Sequence, residues 1–295
     1  MHNNGGPSTT RSGKVAPTPR PQFWRSPTLS QPRWTQPRII AIVNQKGGVG
    51  KTTTTINLGA ALAESGRRVL IVDLDPQGNA STGLAIEDRS KTTYDLLLEG
   101  APLAEIVQTT AIENLAIAPA TTDLSSADME MMANESRSFL LRNALTQGGV
   151  SDDFDVVLID CPPSLSLLTV NAMVAATSVL VPLQSEFFAL EGLSQLLLTV
   201  RQIRSAANPG LRIEGVVLTM FDGRNNLAQQ VEADARETLG ELVFHTIVPR
   251  NVRVSEAPSF GQPVLTYDSG SKGSQAYRAL AAELTGDTTE GATPS

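Results

Sequence analysis

Apolar residues fall along this chain in two alternating patterns. Short continuous runs rich in β-branched residues occupy 39–43, 69–72, 115–118, 156–159, 179–181, 213–218 and 242–247. Longer stretches, with apolar residues three and four apart, occupy 51–64, 138–145, 165–175, 190–206, 227–239 and 274–284. The first pattern predicts strands buried on both faces, the second helices. Strands of this kind separated by helices imply an α/β fold, a mostly parallel, doubly wound sheet covered on both sides. In the helix predicted at 190–206, Leu193, Leu196, Leu197, Val200 and Ile203 share one face and read as core. No repeat and no second domain emerges, so residues 39–285 read as one domain.

The ends break the pattern. Residues 1–38 hold seven prolines among Ser, Thr, Gly and Gln, with no helical or alternating apolar spacing. A disordered tail is expected there. Its prolines argue against the amphipathic helix of a transit peptide, and it lacks the charged-then-apolar order of a secretory signal. Trp24 and Trp34 could stack on bases or a partner, but a solvated tail is the simpler reading. Residues 286–295 are polar and are expected to fray.

Composition narrows the function. Hydrophobic residues make up 41% of the 295, enough for a substantial core. The single cysteine, Cys161, can form no internal disulfide and no cysteine-rich metal site, which suits a reducing cytoplasm. No apolar run approaches the roughly 20 residues of a membrane span. The net charge of −7 is uneven: residues 1–38 carry six basic residues and no acidic one, which leaves the remainder near −13. A body this acidic can meet nucleic acid only through a local patch.

Candidate chemistry begins where the run 39–43 meets Asn44-Gln45-Lys46-Gly47-Gly48-Val49-Gly50-Lys51-Thr52 and a helix follows. Glycines let backbone N–H groups turn inward towards phosphates, and the helix N-terminus adds partial positive charge. Lys51 is placed for the β- and γ-phosphates and the Thr52 hydroxyl for Mg²⁺. The common phosphate loop has Gly six residues before its lysine. Here that position is Gln45, and an extra lysine, Lys46, precedes the glycines. Two acidic segments follow strands: Asp73-Leu74-Asp75-Pro76-Gln77-Gly78-Asn79 and Asp160-Cys161-Pro162-Pro163-Ser164. In a parallel sheet, carboxylates at strand C-terminal ends face the ligand crevice. Cys161 reads as inert core, and His245 as a structurally satisfied histidine in an apolar strand.

These segments, KGGVGKTTT, DLDPQGN and DCPPS in this order, resemble the ParA/Soj partitioning ATPases of the deviant-Walker group that also holds MinD. The likeness continues through Leu190-Glu191-Gly192-Leu193 and Pro249–Pro258, and spans roughly residues 38–285. It implies an ATPase that uses ATP and Mg²⁺. It implies that Lys46 reaches across an ATP-sandwiched homodimer to the partner's phosphates, while Gly47 lets the two loops approach. Gly48, Val49, Gly50 and Thr53 complete the nucleotide loop around Lys51 and Thr52. Asp75 corresponds to the residue that orients the attacking water, near the metal. Asp160 corresponds to the support for Mg²⁺, and Asp73 is open between a chemical and a structural role. Pro249 and Asn251 fall where the family packs against adenine. Arg224 and Arg253 align with arginines that bind DNA without sequence specificity. The implied partners are a second copy, DNA and a ParB-type protein, with no membrane, in the cytoplasm at the nucleoid.

Three other functions compete. A MinD-like membrane ATPase needs a basic amphipathic C-terminal helix, and 276–284 carries a single arginine. An electron carrier related to the nitrogenase iron protein needs more cysteines than one. A small-molecule ligase of the same superfamily needs a substrate constellation that the sequence does not display.

Overall fold

The computed structural model describes residues 36–286 apart from Phe187. Most of the tail 1–38, with both tryptophans, and the end from 287 lie outside the described residues. The strands are β1 (Arg38–Ile42), β2 (Val69–Asp73), β3 (Gln108–Thr109), β4 (Leu115–Ala118), β5 (Val156–Asp160), β6 (Ser178–Gln184) and β7 (Arg212–Thr219). They form one sheet in the order β3-β4-β2-β5-β1-β6-β7. All pairings are parallel except β3 on β4, at the edge.

The helices in the first half are α1 (Lys51–Glu64), α2 (Asn79–Gly83), α3 (Leu103–Ile106), α4 (Leu124–Met131), α5 (Leu140–Gln147) and α6 (Val150–Asp153). The second half holds α7 (Leu167–Ala175), α8 (Ala189–Ala206), α9 (Asn226–Leu239), α10 (Val252–Glu256), α11 (Val264–Tyr267) and α12 (Lys272–Thr285). The expected doubly wound α/β architecture is therefore present. Alternate strand residues feed two cores, because side chains point to opposite faces with period two. Ile40, Ile42, Val69 and Ile71 pack with Ile56, Leu58 and Leu62 of α1 and Tyr277 and Leu280 of α12. Ala41, Val43, Leu70 and Val72 pack with Leu168 and Met173 of α7 and Leu193, Leu196 and Val200 of α8. The face predicted for α8 is buried as expected.

One expected strand is absent. Residues 242–247 begin as a 3-10 turn, Gly240–Leu242, and continue with a single parallel bridge, Val243 to Val216. The reason lies in where the backbone donors go. The N–H groups of His245 and Thr246 donate to the Glu283 carboxylate at 2.6 and 2.9 Å instead of to a neighbouring strand. His245 is consequently an exposed residue on a loop, not a histidine in an apolar strand. Several short helices, α2, α4, α10 and α11 among them, had no periodic signal long enough to predict them.

The topology decides where chemistry can occur. The chain leaves β1 for β2, returns to β5 between them, then crosses β1 to reach β6. Ligands in open α/β sheets bind outside the carboxyl ends of strands at such a switch point. The carboxyl ends of β1, β5 and β2 lie side by side, with Ile42 and Asp73 both in register with Asp160.

Candidate nucleotide site

The loop after β1 is held from three directions. Asn44 is buried; its Nδ2 donates to the Pro182 carbonyl at 2.8 Å and its Oδ1 accepts the Lys46 N–H at 3.0 Å. The Thr219 hydroxyl, from the end of β7, donates to the Val49 carbonyl at 2.8 Å. Gly50 caps α1, and its carbonyl accepts the Thr54 N–H at 2.8 Å. Gly48 and Gly50 have φ of +75° and +86°, a region that L side chains rarely adopt. The loop thus opens onto the N-terminus of a 14-residue helix, whose unpaired N–H groups and dipole suit an anion. Lys51, the first helical residue, is buried and donates through Nζ to the Lys46 carbonyl at 3.0 Å. Burial lowers its pKa, while Asp160, Cys161 and Asp75 oppose that shift. A buried ammonium beside a glycine-lined loop is an electrostatic seat for phosphate.

Two carboxylates, Asp160 and Asp75, act on this ammonium. Asp160 is fully buried; its Oδ1 accepts the Thr55 hydroxyl at 3.0 Å, while its Oδ2 has no hydrogen-bond partner within the chain. Burial pushes this group up to about 8; repulsion from Asp73 and Asp75 adds to the shift, and the nearby hydroxyls of Thr52 and Thr55 offset part of it. An orphaned, dehydrated carboxylate oxygen next to a helix-start threonine fits a hard cation or its water shell. Among the described residues, no three His, Cys, Asp or Glu side chains form a chelating cluster. A magnesium ion held by Thr52 and Asp160 would therefore complete its shell with water and phosphate oxygens, its usual habit. Asp75 is buried at the mouth of the site, its Oδ1 accepting the Gln77 N–H at 3.0 Å.

Asp73 serves the loop rather than the crevice. Its Oδ1 accepts the Asp75 N–H at 3.2 Å, and its Oδ2 accepts the Ser81 N–H and hydroxyl at 3.0 and 2.7 Å. Burial also raises its pKa, and those donors oppose the rise. Cys161 is buried, with a thiol that burial pushes far up, which matches the inert reading.

The raised pKa of Asp160 carries a stability prediction. An aspartate whose folded pKa lies above its unfolded value holds its proton more readily when folded. Its contribution is then lost as pH rises from the carboxylate range through about 8. Asp160→Asn, which still accepts from Thr55, is expected to stabilise the metal-free protein at pH 8 by on the order of 2 kcal/mol. The advantage should shrink towards pH 5. Urea denaturation of both proteins across that range checks it, and a pH-independent difference would assign the effect elsewhere.

Lys46 is exposed at the rim, and its ammonium pairs with Glu186 in the loop between β6 and α8. Gly47 lies against Pro163 of the DCPPS segment, where an added Cβ would sit 4.0 Å from the proline side chain. An open pocket of about 100 Å³ is lined by Gly50, Thr53, Thr219, Pro249, Asn251 and Tyr277, among others. The structure thus brings Pro249 and Asn251 together with Thr53 around one pocket. Asn251 Oδ1 caps α10 by accepting the Arg253 N–H at 2.9 Å, which orients its Nδ2 group.

Arg224 and Arg253 share a neighbouring surface. The loop that carries Arg224 and the segment leading into α10, which carries Arg253, are joined by the Arg250 N–H, which donates to the Phe221 carbonyl at 2.9 Å. Arg224 is 91% exposed and forks onto Asp222, holding that carboxyl down at about 2. Arg253 is 53% exposed and pairs with Glu256 and Asp268 at 3.0 and 3.4 Å. Both sequence-selected arginines are thus engaged by carboxylates of the same chain. Exposed pairs of this kind contribute only ~0–1 kcal/mol, so a row of phosphates can displace them.

Several residues of the site escaped the sequence reading. Thr219, from a strand end, Glu186, from a loop, and Ser81, from α2, are brought there by the fold, and no local spacing marks them. Thr55, four residues after Lys51 on the same helix face, was the one with a legible position.

A parallel sheet with a glycine loop, a buried lysine and paired aspartates at its switch point defines a P-loop nucleotide-binding protein. A family model described as an AAA domain matches residues 37–213. The chromosome partitioning protein ParA of Caulobacter vibrioides is 55% identical over 249 residues, covering 84% of this chain and 93% of the relative. The sporulation initiation inhibitor protein Soj of Bacillus subtilis is 51% identical, covering 84% and 98%. Among solved structures, a cobyrinic acid a,c-diamide synthase from Mycobacterium smegmatis, with bound ATP analog and magnesium, is similar. Its TM-score is 0.75 at 36% identity, covering 84% of this chain and 94% of that one. The chain belongs to the ParA/Soj family of partitioning ATPases.

Proposed function

We propose that this protein is an Mg-ATP-switched dimer that carries out DNA segregation in the cytoplasm, at the nucleoid, with residues 39–285 as its ATPase domain. The observation that carries the reading is the convergence of Lys51, Thr52, Asp75 and Asp160 on one crevice, with Lys46 exposed at its rim. The first four residues bind and hydrolyse one nucleotide. The fifth is placed to leave its chain, since Glu186 holds it only by an exposed ion pair worth about 1 kcal/mol or less. The similar structure with bound ATP analog and magnesium supports the choice of ligand. The ParA and Soj relatives, more than 50% identical, favour segregation over the synthase reaction named for the 36% identical structure.

In the reaction, glycine-loop N–H groups, the α1 N-terminus and Lys51 bind the triphosphate, and Thr52 and Asp160 support the cation. Magnesium supplies charge neutralisation of the phosphates when bound. Asp75 orients the attacking water, and Lys46 of the second copy stabilises charge on the transferred phosphoryl group. This last role is that of an arginine finger in trans. Exposed apolar side chains suit that pairing. Leu165 and Phe188 are exposed and follow Pro163 and Glu186, the neighbours of Gly47 and Lys46, by two positions in the chain.

The closed dimer places two copies of the Arg224 and Arg253 surface on one particle, which gives a local basic patch on an acidic body. A ParB-type partner then triggers hydrolysis and release. No helix among the described residues is long and apolar enough to cross a membrane. Replacing Arg224 and Arg253 together by Ala should abolish ATP-dependent retention on DNA while ATP-dependent dimers persist in light scattering. In the weakened range, the slope of log affinity against log salt should fall by roughly one per lost contact. Unchanged retention would reject these residues as the DNA site.

A further inference from the structure

We infer that Ser81 is a positioning residue for ATP hydrolysis: through Asp73 it holds the loop that aims the Asp75 carboxylate. The inference rests on the reading of Asp75 given above. It starts from a buried polar network that binding and catalysis do not otherwise use.

Asp73 ends β2, and Ser81 lies in α2, eight residues on; both are fully buried. Between them runs the loop 74–80, which contains Asp75. The Asp73 carboxylate grips that loop at both ends. One oxygen accepts the Asp75 N–H, and the other accepts both donors of Ser81. The Ser81 hydroxyl is itself anchored, because it accepts the Ala120 N–H at 3.0 Å from the chain just beyond β4. The Thr93 hydroxyl donates to the Asp73 carbonyl at 2.8 Å, and the Thr93 N–H donates to Pro119 at 2.8 Å. Gly78 closes the same corner. Its φ is +60°, and an added Cβ would lie 2.9 Å from the Ala120 carbonyl.

Asp75, Ser81 and, through the Ser81 hydroxyl, Ala120 are thus tied to one carboxylate, while Thr93 holds the backbone carbonyl of the same residue. Every oxygen and donor in the chain from Ala120 through Ser81 to Asp75 is satisfied, and a satisfied buried network is rigid. Removing one hydroxyl breaks two links together: the bond to Asp73 and the acceptor for Ala120. It touches nothing that binds the triphosphate, which is held by the loop after β1. Misplacement of a catalytic group by about 1 Å can cost ~10²-fold in rate. The expected signature is therefore a fall in turnover without a matching fall in nucleotide affinity.

The test uses the full chain, with phosphate release at saturating Mg-ATP and calorimetric binding of a non-hydrolysable ATP analogue. Ser81→Ala should lower turnover about tenfold or more, with analogue affinity within about twofold of wild type. Ser81→Cys, near in size and a weaker donor, should fall between the two and remains informative if the alanine variant misfolds. In an Asp75→Ala background, Ser81→Ala should cause no further loss. Wild-type turnover in the folded alanine or cysteine variant would overturn the inference, as would affinity lost in proportion to rate. If Asp75→Ala itself hydrolyses ATP normally, the role given to Asp75 fails first, and that result is separable from a failure of Ser81 alone.

Discussion

Lys46→Gln is expected to bind Mg-ATP within a few-fold of wild type, yet to lose ATP-dependent dimers and lower hydrolysis by about 10³-fold or more. The geometry separates the two lysines of the loop. Lys51 is buried at the start of α1, where burial depresses its pKa and Asp160 and Asp75 oppose that shift. Lys46 lies outside, with its ammonium on Glu186 rather than over the crevice. On the proposed reading, loss of Lys51 would remove a phosphate ligand, whereas loss of Lys46 would remove a group that serves another chain. Calorimetry with a non-hydrolysable analogue, light scattering and phosphate release divide these outcomes. If Lys46→Gln pairs and turns over like wild type, the lysine is not donated in trans and the switch has no basis in this loop.

The second large effect concerns Asp75. Asp75→Ala should reduce hydrolysis by on the order of 10²-fold or more while preserving nucleotide binding, because the role proposed for its carboxylate is to orient water and not to hold the triphosphate. Removing the charge also relieves repulsion on the buried Asp160, whose pKa Asp75 helps to raise. The cation site should therefore survive. The variant is expected to accumulate as an ATP-bound dimer retained on DNA, seen as a mass shift and as persistent DNA binding after excess ATP is removed. A monomer indifferent to DNA would contradict the proposed order of events, in which closure precedes hydrolysis.

Much of this arrangement was legible along the chain. The loop Lys46–Thr52 is contiguous, and its chemistry depends on backbone N–H groups and two lysines that sequence spacing already supplies. The strands before each acidic segment are unbroken apolar runs, so their carboxyl ends were predictable to within a residue. The stretch 242–247 shows the limit. Its composition suits a strand, but strand formation depends on which donors and acceptors a neighbour offers, and Glu283 of α12 takes two of them. The role of Asp73 shows another. An aspartate after a strand looks the same whether it faces ligand or backbone, and only Ser81 and the Asp75 N–H settle the matter.

The sequence by itself determined the α/β class, the phosphate loop with its extra lysine and the two acidic segments, because these are local patterns of residue type and period. Tertiary structure alone decided which groups meet. It set Asp73 and Asp160 side by side on β2 and β5, left one Asp160 oxygen unpartnered, and brought Pro249 and Asn251 to Thr53. It also paired Arg253 with Asp268, a carboxylate that no spacing rule singled out. The physical reason is range: backbone preference and apolar period act over a few residues, whereas electrostatics and hydrogen bonding act between groups that only the folded sheet makes neighbours.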